Sequence, residues 1–218
     1  MGSIVEIAGS ARVNASVRGT APIESLELYE RNRVIHTVRP AAFDNLESSR
    51  RVRVSWRGSR IRGRGRRVNW DGVIRVAGGR VISAVSNFDT PVDRITRTTD
   101  SEVHFISQTT GDTDSIDLLL DRGDAGVVIT LDSKPGTCAV DLRELTNDSP
   151  RRLFRFEGLD VSATIERYPE DPGGRSAELQ LTIEPPAGKT TPYFVKVTQC
   201  DGQMAWASPV YLRRSPIT

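Results

Sequence analysis

Cysteine is scarce in this chain. Cys138 and Cys200 are the only two, far apart and in no CxxC or Cys/His cluster, which excludes a zinc centre built on sulfur. Cys138 alternates with Val140 and Leu142 and reads as a small core residue, Cys200 sits beside a turn, and a bridge between them stays open. No apolar run approaches the ~20 residues of a membrane-spanning helix, and the opening MGSIVEIAGSARV lacks the regions of a secretory signal, so the chain reads as soluble, with no membrane partner. That opening lies directly on strand-like sequence and suggests a piece of a longer polypeptide. Histidine is equally rare: His36 in VIHTV and His104 in EVHFIS both sit in strand patterns, and with no G-x-S-x-G elbow the chain offers little for nucleophilic catalysis. Aromatic residues make up 6% of the chain, a small stock for a sugar-stacking platform, although its three tryptophans and four tyrosines keep carbohydrate binding as an alternative.

Sustained helical periodicity is also missing. Period-2 alternation bounded by Gly, Pro, Asn and Asp recurs from end to end instead, and it predicts an all-β protein. In IESLELYERNRVIHTV a two-residue turn at Arg31 and Asn32 sets Tyr29 against Val34 and Leu28 against Ile35, with Asn32 accepting positive φ. RPAAFDNLESSR reads as a connector. In RVRVSW, Val52, Val54 and Trp56 share one face, with Arg51, Arg53 and Ser55 on the other. Gly78 and Gly79 mark a reversal that pairs Val76 with Val81, and GVVITLDSKPGTCAVDL forms a hairpin with Pro135 and Gly136 in a type II turn. LDVSATIERY and AELQLTIEP supply two more strands, and a single helical turn fits Asp141 to Thr146. In PYFVKVTQCDGQMAWASPVYL the Asp201-Gly202 pair signals a type I′ turn that places Val197 opposite Trp206 and Gln199 opposite Met204. Trp206 then lines a core face with Tyr193, Val195, Val210 and Leu212 as a packing anchor, with a ligand platform as its alternative role.

The net charge of +2 hides an uneven distribution. Residues 1–100 carry 18 Lys or Arg against 10 Asp or Glu, and the remainder 12 against 18. Such asymmetry steers an acidic partner to one end or lets two lobes attract each other. The strongest bias lies in WRGSRIRGRGRRVNWDG, where Arg60, Arg62, Arg64 and Arg66 alternate and project as a row of cations from an extended strand. The row is a candidate contact for an anion or for an acidic domain surface, and a charge-protected edge strand has the same pattern. Its shortness and the lack of interleaved exposed aromatics argue against nucleic acid. The acidic run TTGDTDSIDLLLDRGD brings Asp112, Asp114 and Asp117 close together and hints at a hard cation, but it fails the EF-hand spacing, and a solvated turn explains it equally well.

GTAPIESLELYERNRVIHTV, VSWRGSRIRGRGRRVNWDGVIRV and especially YFVKVTQCDGQMAWASPVYL resemble the C-terminal region of a bacterial family of unknown function. Longer members of that family place a metallohydrolase-like domain, related to the PHP (polymerase and histidinol phosphatase) superfamily, ahead of this region. With only His36 and His104 and no HxH pair, the metal ligands of that domain have no counterpart here. The resemblance therefore implies a non-catalytic accessory β-module without metal or cofactor, whose partner is the N-terminal catalytic domain of the same polypeptide. It also implies a layout in which residues 1–44 and 187–218 form an immunoglobulin-like sandwich and residues 45–186 form an inserted second β-sandwich. One continuous sandwich of many strands is the alternative.

Overall fold

A computed structural model describes residues 2–59, 67–123 and 126–215. The protein is an all-β sandwich fold, its only helical pieces among the described residues being the 3-10 turns Ala41–Phe43 and Leu142–Glu144. No helix among those residues is long and apolar enough to cross a membrane. The chain divides into two compact units, Met1–Ala41 with Pro172–Thr218 and, between them in sequence, Ala42–Asp171.

The outer unit begins with β1 (Ser3–Ile7), β2 (Ala11–Arg18), β3 (Ile23–Glu30) and β4 (Arg33–Val38). The inserted unit holds β5 (Arg51–Arg57), β6 (Val68–Asn69), β7 (Gly72–Ala77), β8 (Val81–Asn87), β9 (Arg94–Thr98), β10 (Glu102–Ile106), β11 (Gln108–Thr109), β12 (Thr113–Leu120), β13 (Val128–Ser133), β14 (Gly136–Asp141), β15 (Arg151–Arg155) and β16 (Ser162–Tyr168). The outer unit then resumes with β17 (Ser176–Ile183), β18 (Thr190–Gln199), β19 (Met204–Trp206) and β20 (Val210–Arg214).

In the outer unit one sheet runs β1-β20-β18-β3-β4, with β19 also on β18, and the other is the pair β17-β2. The order is immunoglobulin-like: β20, β18, β3 and β4 occupy the G, F, C and C′ places, and β2 and β17 the B and E places. β17 belongs here, paired from Ser176↔Arg18 to Ile183↔Ala11, and not to the inserted unit as its place before residue 187 suggested. Leu179 and Ile183 explain the placement, because alternation turns both into the same core as Leu26, Leu28 and Tyr193. The unit boundary accordingly falls at 171/172. In the β3-β4 hairpin Tyr29 does face Val34, but a bulge sets Leu28 against His36 rather than Ile35, and the positive φ falls on Arg31 (56°) rather than on Asn32.

The inserted unit stacks two five-stranded sheets, β14-β13-β7-β10-β9 and β15-β16-β5-β12-β8, with a short β11-β6 pair. Val52, Val54 and Trp56 share the core face of β5 as the alternation required, and Leu131 pairs with Cys138 and Ile129 with Val140. Those core pairs fix the register, so the hairpin tip is Lys134-Pro135, one residue earlier than the expected Pro135-Gly136 turn. The helical turn near residue 142 is present, with Asp141 accepting a hydrogen bond from Arg143 N at its start.

The reversal at Gly78-Gly79 is not a hairpin. β7 and β8 lie in different sheets, with Val76 against Ile129 and Val81 against Leu120, so both valines fill one core from opposite layers. A chain crossing between stacked sheets steps about 10 Å and cannot keep ladder pairing across the step. Gly78 adopts φ 76°, and a Cβ there would collide with the carbonyl oxygen of Gly126.

One buried cation ties the connectors of this unit together. Arg167 on β16 is 3% exposed and donates to the carbonyl oxygens of Leu145, Ser49, Gly123 and Leu142, each at 2.8 Å. Its side chain thereby satisfies loop carbonyls that the sheets leave over.

Candidate functional site

The first candidate surface is set by the loop between β18 and β19. Gly202 N donates to Gln199 O at 2.9 Å, Gln199 N donates to Gln203 O at 2.9 Å, and Gly202 takes φ 83°. The connection therefore has three residues, Cys200, Asp201 and Gly202, in a type I turn closed by a glycine bulge, and not the two residues of a type I′ turn. One extra loop residue slips the register by one: Lys196 pairs with Trp206, Val197 with Ala205 and Thr198 with Met204. Such a slip turns every side chain of the strand to the other face. Trp206 is thus no core anchor but is 57% exposed, with Met204 at 50%.

The outward face around Trp206 is ordered by cross-strand pairs. Trp206 lies opposite Lys196, which lies opposite Glu27, and Lys196 Nζ stands 3.5 Å from Glu27 Oε2. One row further, Phe194 pairs with Tyr29 and the two rings stack with centroids 4.8 Å apart and planes 9° from parallel. The Tyr29 hydroxyl donates to Glu27 Oε2 at 3.2 Å. Aromatic surface and a polar pair therefore share one half-open sheet face.

The second candidate is acidic. β12 splits the three aspartates that the sequence groups together. Asp117 points to the outer face of its sheet, where Arg53 grips it with Nε at 2.6 Å and Nη2 at 2.8 Å, and Arg51 adds a bond of 2.7 Å. Burial alone would raise its pKa, but the two guanidinium groups hold the carboxyl below its ordinary range. The Tyr168 ring lies 3.7 Å from the Arg53 guanidinium carbon and covers the pair.

Asp114 points the other way, into the end of the sandwich core beside Trp56, and is fully buried. Trp56 Nε1 donates to Ser107 Oγ at 2.8 Å, and Ser107 Oγ donates to Asp114 Oδ2 at 2.6 Å. Asp114 Oδ1 is buried with no hydrogen-bond partner, as is Oδ2 of Asp93. Asp89, Asp112 and Asp114 bring carboxylate oxygens within 4.8 Å of one another. Burial pushes the Asp114 carboxyl up to about 7, with the charges of Asp93, Asp112 and Asp89 adding to it. Asp89 is raised for the same reasons, burial first and then Asp112 and Asp93. Asp112 also accepts hydrogen bonds from the backbone N and the hydroxyl of Thr110.

Asp89 and Asp93 escape sequence reading because they lie in NFDTPVDR, about twenty residues before Asp112, where two acids around a proline look like any polar loop. The other singled-out residues are spread through the fold. Arg60, Arg62, Arg64 and Arg66 lie outside the described residues. His104 pairs with Val73 and Arg97 in its sheet, its Nε2 3.0 Å from Glu102 Oε2, and His36 pairs with Leu28. Cys138 and Cys200 are free thiols, both buried, and burial pushes Cys138 up to about 11. A polar cleft of about 350 Å³ on the β5-β16 face is lined by Ser55, Arg57, Arg151, Thr164 and Glu166 among others.

The chain matches no family model, no curated protein and no solved structure. The class that fold and surface define is an all-β sandwich protein with a second β-sandwich inserted between the C′ and E strands of an immunoglobulin-like unit.

Proposed function

We propose that this chain is a non-catalytic accessory module of a PHP-like metal-dependent hydrolase, packing on the catalytic domain of the same polypeptide and shaping its entrance. The observation that carries the reading is the position of Trp206. DGQMAWASP, the segment that most resembles the bacterial family, holds its two largest apolar side chains in solvent, Trp206 at 57% and Met204 at 50% exposure. An exposed indole beside an exposed thioether is the composition of a contact surface, and the resemblance supplies one occupant, the domain ahead of it.

The gene's reading frame and 5-fluorotryptophan labelling test this together. Trp56 and Trp70 are buried, so the solvent-accessible fluorine signal is that of Trp206, assigned by Trp206→Phe. In the polypeptide that carries the hydrolase domain this signal is expected to lose its response to a soluble paramagnetic quencher, whereas in the present chain it responds. A reading frame without such a domain, or equal quenching in both proteins, overturns the proposal.

The same side chain favours a second reading, a carbohydrate- or polyanion-binding module. An indole face flanked by the Lys196-Glu27 pair offers a sugar both stacking and hydrogen bonds. Glycan binding by the present chain that disappears in Trp206→Ala would establish it.

A further inference from the structure

We propose that Asp89, Asp112 and Asp114, with Asp93 beside them, form a binding site for a hard divalent cation of the calcium class. Two independent observations meet here. The first is the convergence of three carboxylates from two stretches of chain, Asp89 in the loop after β8 and Asp112 with Asp114 at the turn into β12, with oxygens within 4.8 Å of one another. Calcium binds oxygens at about 2.3–2.6 Å, so two ligands of one ion stand no more than about 5 Å apart, which this spacing meets. The second is the pair of buried oxygens without a donor, Asp114 Oδ1 and Asp93 Oδ2, on residues that are 0% and 9% exposed.

Buried polar atoms in folded proteins are satisfied almost without exception, and a carboxylate is the most expensive group to leave unmatched. The usual remedy in this protein is arginine, as at Asp117. None of the four aspartates has a Lys, Arg or His within ion-pair distance among the described residues. Among the described residues the one donor to the buried carboxyl is Ser107 Oγ, itself held by Trp56, and that hydrogen bond fixes Oδ2. A cation on the remaining oxygens supplies the missing positive charge.

The donor set chooses among metals. Oxygen-only ligands exclude the thiolate and imidazole sites of zinc and copper. Loop carboxylates of irregular geometry suit calcium, which takes six to eight oxygens flexibly, better than magnesium with its strict octahedron. Bound there, the ion joins the β8-β9 loop to the β11-β12 loop and closes one end of the inserted sandwich.

Terbium, a luminescent stand-in for calcium, tests the site because Trp56 is one side chain away from Asp114 and can sensitise it. The chain carrying Trp206→Phe, which removes the exposed indole, is stripped with EDTA and titrated. Expected are saturable terbium luminescence, its displacement by calcium, and an EDTA-reversible rise in melting temperature of about 5 °C at a hundredfold excess of calcium over its Kd. Asp89→Asn and Asp112→Asn alter side chains outside the core, so they should melt like the parent in EDTA while losing at least tenfold in terbium affinity. Asp114→Asn keeps an acceptor for Ser107 and removes the charge; it should hold or gain stability in EDTA and lose the calcium response, whereas a purely structural carboxylate would lose stability. Absence of saturable binding and of calcium stabilisation in the parent overturns the site, as does binding that survives Asp89→Asn and Asp112→Asn combined.

Discussion

The two units solve the same problem with unequal means. The inserted sandwich faces sheet against sheet, five strands each, and among its described residues buries 22 core hydrophobics including Trp56 and Trp70. The outer unit sets a two-stranded sheet against a six-stranded one and buries eight, with an apolar cleft of about 430 Å³ open between Val13, Leu28, Tyr193 and Leu212. The inserted unit buries charge as well: Arg167 and Asp114, and, on the outer face of the β5-β12 sheet under the Tyr168 ring, the Arg53-Asp117 pair. Among its described residues the outer unit buries no charged side chain, and its tryptophan, Trp206, stands in water. Both units leave aliphatic side chains in solvent, Ile82, Val85 and Val92 in the inserted one and Ile4 and Val5 in the outer one, so what separates them is the size of the core and the exposed indole of Trp206.

Removing the interior charges should break the inserted unit first. Arg167→Met leaves carbonyls of three connectors without their donor, and a loss of about 4 kcal/mol or more in denaturant unfolding is expected, read by the buried tryptophans. Asp117→Asn should lose about 3 kcal/mol near neutral pH, because the buried Arg53 loses the carboxylate that grips it at two nitrogens. The sign of the pH dependence follows from the depressed carboxyl. Its contribution is complete above the unfolded aspartate pKa of about 3.9 and is lost as pH falls through the lower folded value. The gap between wild type and Asp117→Asn should therefore close on acidification below about pH 4, measured by urea titrations across pH.

Substitutions in the outer unit should be milder. Gly202→Ala forces a side chain into φ 83° and should destabilise that unit by about 1–2 kcal/mol, seen in its thermal melt. Trp206→Ser should change stability by less than about 0.5 kcal/mol, against about 3–5 kcal/mol for Trp56→Ala. A large loss from Trp206→Ser would mean that the indole packs as an anchor after all and would erase the contrast between the units.

Strand content and face assignment were legible in the sequence because alternation is a local signal. Val52, Val54 and Trp56, or Leu131 against Cys138, are read from neighbours two residues apart. What was hidden depends on non-local partners. Asp201-Gly202 suits a two-residue and a three-residue loop alike, since both want a glycine at positive φ, and that single residue decides whether Trp206 meets core or water. Gly78-Gly79 serves a hairpin or a step between sheets equally well. AELQLTIEP carries an apolar face without saying which sheet it joins. The acidic cluster was half visible: Asp112 and Asp114 were singled out, while Asp117 was wrongly grouped with them, because alternation along β12 sends it to Arg53 on the opposite face.

The order of strands in the outer unit has a consequence for synthesis. β3 finds its partner β18 only after more than 150 residues of intervening chain, and β1 pairs in parallel with β20 near the other end. The inserted unit is one continuous stretch whose strands are all made by Tyr168. During translation it can therefore fold while β1 to β4 are still waiting, and its closure shortens the loop that the late strands must span. Vectorial synthesis thus imposes a sequence of events in which the half that presents Trp206 is the last to form, and a ribosome stalled before β18 should display a folded, protease-resistant middle flanked by a cleavable leader.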